Sequence, residues 1–289
     1  MNRISICCLM ALLFSLGHTT LWGQRENNIE FNLWYAKPGD TFRVYGKTAN
    51  VRAQPGKMET ITDSLPCGTL VVVREQAGHM EQLKGIYAPW VRIRYGAGKE
   101  GYIWLGMLAL GSRTDKAQQT FLYGLDWISP SRAKDDDYQP AIWHVKAKAL
   151  DPALQLLDEK EFVVKALETS VTEAKLLGDM GLEGTSDIWR IQFGGEACGI
   201  PTDYFYFGWT GRQLLALPGK SEVGDAGVFY HSETLLFPKE PGGQPGRIIR
   251  LAEEGEADEE KTDPNGETVF KVKKTREVYA WDGHQAKKL

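Results

Sequence analysis

Four stretches decide the fold: Thr48-Ala-Asn-Val-Arg52, Leu65-Pro-Cys-Gly-Thr-Leu-Val-Val-Val73, Trp90-Val-Arg-Ile-Arg94 and Gly101-Tyr-Ile-Trp104. Each is short and sets β-branched or aromatic residues between turn formers, the composition of β-strands. Val51 sits between Asn50 and Arg52, the alternation of a half-buried strand, and Pro55-Gly56 opens an irregular loop. Cys67-Gly68 turns the chain into the apolar run Thr69 to Val73. Trp90, Val91 and Ile93 then face a core around Arg92 and Arg94, and Gly96-Ala-Gly98 supplies a hairpin turn before the last piece.

The order of these pieces resembles the bacterial SH3 family (SH3b), whose pattern runs Leu-Asn-Val-Arg-x-x-Pro, a Gly before an apolar strand, Trp-x-x-Val, and a closing Gly-Trp-Val. Tyr102 stands where the family has Trp, and residues 77–89 make a longer connection than the family's. The resemblance covers residues 46–112 and implies a small SH3-like barrel that serves targeting or recognition rather than catalysis. Its implied ligand is a peptidoglycan peptide or an envelope protein partner. Tyr87, Tyr95, Tyr102 and Trp104 are then the candidate ligand-binding residues, because flat rings give contact area to peptides and sugars at low entropic cost. A place in the barrel core is the competing role for each.

The rest of the chain keeps strand character, so the expected fold class is all-β: the barrel, then a second β-rich domain over residues 113–289, either a propeller-like meander or a sandwich. Residues 24–45 are a lead-in, and the polar run 111–119 is the expected domain boundary. Phe207-Gly-Trp-Thr-Gly-Arg-Gln213 and Tyr279-Ala-Trp-Asp-Gly-His-Gln285 echo one another, and Asp-Gly in the second is a strong hairpin signal. One short helix or a loop is expected from Asp151 to Phe162, where Pro152 could start a helical turn. The polar runs 129–139 and 251–267 read as solvated loops, without the alternating oxygen ligands of a calcium loop.

Composition narrows the function. The formal net charge is −4, and residues 1–23 carry one charge, Arg3, so removing them leaves 33 basic and 38 acidic residues, −5. That is no nucleic-acid footprint. Arg3, the apolar run Ile4 to Leu16 and the small residues after it read as a signal peptide cleaved near Gly23-Gln24. A periplasmic or secreted location is expected, with no membrane span, because the apolar run is shorter than the ~20 residues that a span needs. Cys67 and Cys198 survive cleavage, and the sequence leaves open whether they form a disulfide or stay separate thiols. The alternative to a non-enzymatic binding protein is a cysteine-type cell-wall hydrolase with Cys198 as nucleophile and His231 or His284 as base. Gly195-Glu-Ala-Cys-Gly-Ile-Pro201 speaks against it, since Pro201 disfavours the helix whose dipole would activate the thiol. Asp225, His231 and Ser232 share a polar stretch without an oxyanion-hole motif. No metal-ligand spacing and no cofactor loop is present.

Overall fold

The computed structural model describes residues 33–134, 137–262, 265 and 268–289. The expected signal peptide and its cleavage site lie outside the described residues, as do Asp135 and Asp136 of the first acidic run. The described chain is all-β, with one 3-10 turn at Leu105–Met107.

Six strands form the N-terminal sheet: β1 (Thr41–Arg43), β2 (Thr48–Arg52), β3 (Ile61–Pro66), β4 (Leu70–Leu83), β5 (Ile86–Tyr95) and β6 (Lys99–Trp104), in the order β1-β4-β5-β6-β2-β3. Every pairing is antiparallel. Its inner face presents Val51, Val73, Val91, Ile93 and Ile103, all removed from solvent, as the alternation of the four opening stretches requires. Residues 77–89 are not a loop. β4 and β5 run on through them and meet at the two-residue turn Lys84-Gly85, whose φ values of 53° and 81° match the twist of a hairpin. Register breaks at Val73/Glu75 and Gln76/Met80 absorb the extra length.

The next strands are β7 (Gly111–Thr114), β8 (Thr120–Ser129), β9 (Arg132–Lys134), β10 (Asp137–Gln139), β11 (Ile142–Leu150) and β12 (Leu156–Lys165). β9 and β10 pair as a separate hairpin, while the others form a sheet in the order β12-β11-β8-β7. The polar run 111–119 is thus a strand and a turn, closed where Asp115 Oδ1 accepts from Gln119 N at 2.8 Å. The run 129–139 holds the β9–β10 hairpin rather than a loop alone. No helix forms at 151–162 either. Leu154 N donates to Asp151 O (2.9 Å) and Gln155 N to Asp151 Oδ1 (2.8 Å), which stops the chain in a tight turn. From Leu156 the residues alternate between two faces, and β12 pairs with β11 along its length.

The remaining strands are β13 (Val171–Leu176), β14 (Asp187–Gly194), β15 (Thr202–Trp209), β16 (Leu214–Asp225), β17 (Phe229–Leu236), β18 (Arg247–Thr262), β19 (Thr268–Trp281) and β20 (Ala286–Lys288), an eight-stranded antiparallel meander in sequence order. The strands form one continuous sheet rather than the separate four-stranded blades of a propeller, and the first half of this meander packs on the four-stranded sheet as a sandwich. Phe121 meets Trp189 and Trp209 with ring centroids 5.5 Å apart, and Phe162 meets Phe205 at 4.5 Å. The opposite faces of β14, β15 and β16 bury Ile188, Tyr206 and Leu217 in a second core with Phe237, Ile248 and Trp281. The acidic run from 251 is strand β18, not a loop: Glu253 and Glu254 stand opposite Lys274 and Lys273 of β19 and pair with them at 2.7 and 3.4 Å.

Candidate functional site

A cleft of about 860 Å³ opens where the N-terminal sheet meets the four-stranded sheet. Apolar walls come from Leu83, Ile86, Trp104 and Met107 on one side and from Leu125, Leu154 and Leu156 on the other. Its floor is charged. β11 reads Trp143-His-Val-Lys-Ala-Lys-Ala-Leu150, so the two-residue period of a strand puts His144, Lys146 and Lys148 on one face and Trp143, Val145, Ala147 and Ala149 in the core. β12 adds Glu159 and Glu161 to the polar face, and Asp126 reaches it from the β8 residue opposite the register break at His144/Val145.

The charges hold one another. Lys146 Nζ lies 3.1 Å from Asp126 and 3.7 Å from Glu159, and Lys84 Nζ lies 3.3 Å from Asp126. Burial works to raise the Asp126 carboxyl, but hydrogen bonding to Lys146 and the charges of both lysines bring it below the ordinary carboxylate range. The hydrogen bond to Asp126 raises Lys146 in turn. Lys148 is buried and donates to Tyr45 O at 2.9 Å, with its ammonium 4.2 Å from the Tyr45 ring centroid and 4.0 Å from Glu159. Burial pushes the Tyr45 phenol far above its usual range, and Asp126 and Glu159 add to the effect. Burial likewise raises the Cys67 thiol, with Lys148 opposing it, so the surroundings of this half-buried wall residue disfavour the thiolate.

Of the four aromatics singled out in the sequence, only Trp104 lines this cleft. It is a core residue whose indole N–H donates to Ala88 O (3.1 Å) and Glu81 O (3.2 Å), leaving an edge in the wall. Trp104 also borders a shallower hollow of about 130 Å³ with Thr48, Asn50, Arg52, Lys57 and Trp90. Tyr95 is buried at the far end of β5, where its hydroxyl donates to Asp63 (3.2 Å), and Tyr102 packs half-buried against the core. Tyr87 is half-buried on β5 opposite Gln82. The barrel motif locates none of the floor residues. The signal that could have found them is the spacing Lys146-x-Lys148 inside an apolar strand, followed by Asp158-Glu-Lys-Glu161.

The two cysteines among the described residues are free thiols, Cys198 exposed in the β14–β15 turn and Cys67 at the cleft. His231, the nearer candidate base in sequence, has its ring nitrogens 3.5 Å from Glu233 and from Glu254. His284 lies in the turn that Asp282 closes. Among the described residues no group of His, Cys, Asp and Glu is placed to hold a metal ion. No described helix is long and apolar enough to cross a membrane. Comparison with family models, curated proteins and solved structures gave no match.

Proposed function

We propose that the chain is an extracytoplasmic binding protein whose inter-sheet cleft seats a short zwitterionic peptide, of the kind carried by cell-wall peptidoglycan. The observation that carries this reading is the pairing of an apolar cleft of about 860 Å³ with a floor of both charge signs, Lys146 and Lys148 beside Asp126 and Glu159. Apolar walls enclose the side chains of such a peptide, and the lysines and carboxylates meet its carboxylate and amine. The SH3-like pattern of residues 46–112 supports recognition from the sequence side, with the site moved from the barrel aromatics to the junction with the next sheet. Salt bridges already formed on the floor set a cost, since a ligand must exchange with them, so modest affinity is expected.

The test is sedimentation of the mature protein with purified sacculi. Leu156 is 53% exposed, so Leu156→Asp changes the rim without a buried cost. Wild type is expected in the pellet, with Leu156→Asp and Lys146→Glu each weakening retention about tenfold, equal to ~1.4 kcal/mol. Retention unchanged in both variants, or absent in wild type, overturns the reading. Release of muropeptides that Cys198→Ala abolishes would establish the cysteine hydrolase instead.

A further inference from the structure

We propose that Ser129, His144 and Glu161 form an acyl-transfer relay in which Ser129 is a nucleophile toward carboxylic esters. Ser129 Oγ lies 3.1 Å from His144 Nε2, and His144 Nδ1 lies 3.0 Å from Glu161 Oε1. A carboxylate at Nδ1 places the ring proton there and leaves Nε2 as the acceptor for the serine hydroxyl, the order of roles in a serine–histidine–acid triad, which is recognised by geometry and not by sequence position. The residues come from three adjacent strands, β8, β11 and β12, so the ladder fixes their spacing as no loop would. Trp127 stacks on the imidazole with centroids 3.5 Å apart and planes 11° from parallel, which restrains the ring. The His144 side chain is 16% exposed and that of Glu161 46%, so the relay opens to solvent at the carboxylate end. Ser129 is half-buried.

Position strengthens the case. His144 and Glu161 stand two residues from Lys146 and Glu159 on the same strands and on the same face, about 7 Å along the sheet. The relay therefore continues the polar floor of the cleft, although its chemistry does not depend on what the cleft binds. In the first step the Oγ proton passes to His144 Nε2 as Oγ bonds to the acyl carbon and the carbonyl π pair moves onto its oxygen, from which it returns to re-form C=O in the next step. The ester C–O bond then breaks, and the leaving alkoxide takes the proton from Nε2. Water repeats the sequence on the acyl-serine, releasing the acid and restoring the hydroxyl.

The full chain treated with a fluorophosphonate is expected to carry one adduct at Ser129, located by peptide mass spectrometry, and to hydrolyse p-nitrophenyl acetate with an initial burst. His144→Ala should slow phosphonylation about 100-fold, the lower range for a lost general base. Glu161→Gln, which preserves the side-chain volume, should slow it at least about tenfold through loss of the imidazole's orientation while its circular dichroism stays that of the wild type. A wild-type chain without a Ser129 adduct, or an adduct that forms at the wild-type rate in His144→Ala, overturns the proposal.

Discussion

Two glycines show how the same residue type answers to different constraints. Gly85, at the tip of the β4–β5 hairpin, has φ of 81°, and a Cβ built there would stand 2.5 Å from the carbonyl oxygen of Ile128. Gly283 has φ of 90° with nothing within 4 Å of its Cβ position. Alanine at 283 therefore meets the left-handed backbone penalty alone, ~1–2 kcal/mol. Alanine at 85 meets that penalty and must also displace a strand of the next sheet, because Ile128 N is bonded to Lys84 O at 2.9 Å. Urea titration is expected to show Gly85→Ala losing at least about twice the stability lost by Gly283→Ala, within the usual range for backbone strain plus overpacking. Equal losses would mean that the hairpin tip moves freely off Ile128, and that the cleft wall formed by Leu83 and Ile86 moves with it.

At the scale of elements, the repeated heptapeptides resolve into two hairpin turns of one design. In the first, Thr210 Oγ1 accepts from Gln213 N at 3.1 Å, with Gly211 at φ of 90°. In the second, Asp282 Oδ1 accepts from His284 N and Gln285 N at 2.9 and 2.8 Å. The preceding tryptophans are anchored at distant points, Trp209 Nε1 on Gln119 Oε1 (2.8 Å) and Trp281 Nε1 on Glu183 O (2.7 Å). The backbone bonds from Gln285 and His284 hold the Asp282 carboxyl below its ordinary range. A depressed folded-state value stabilises above the unfolded pKa and is lost as pH falls through the folded one. Asp282→Ala should therefore lower the melting temperature at neutral pH and cost progressively less on acidification. Thr210→Ala, which removes a neutral acceptor worth ~1 kcal/mol, should cost the same at both pH values. Parallel melting curves at neutral and acid pH check the contrast. These turns were legible in the sequence, as was the all-β class, because Gly next to Thr or Asp between aromatic strands has a local cause. The long hairpins β4–β5 and β18–β19 were not legible, since polar residues on a strand exposed on one side look like loop residues until cross-strand partners such as Glu253 and Lys274 are known. The cleft escaped for the same reason: Lys148 is a floor residue only because Tyr45, some hundred positions away, supplies the carbonyl that it binds.

At the scale of the whole molecule, one apolar cluster runs from Trp34 through the N-terminal sheet and the four-stranded sheet to Trp209 and Leu214. Polar bonds cross the same seams: Lys148 to Tyr45 O, Trp209 to Gln119, Leu214 N to Asp158 Oδ2 at 2.8 Å, and Tyr123 OH with Thr172 Oγ1 at 2.9 Å. A barrel that folded by itself would need its own closed core, yet Gly124 of β8 lies so close under the Tyr45 ring that a Cβ there would stand 2.7 Å from it. Separating the two would expose Tyr45, Leu122 and Leu150 together, a cluster drawn from both sides of the seam. Calorimetry of the chain should then show one transition, with calorimetric and van't Hoff enthalpies equal. Trp189→Ala, which empties a fully buried site in the sandwich, should cost ~3–5 kcal/mol and move that single transition as a whole. Two resolved transitions, with only the later one shifted by Trp189→Ala, would instead make the N-terminal sheet an independent module, and the cleft would become a mobile interface between two bodies rather than a preformed site.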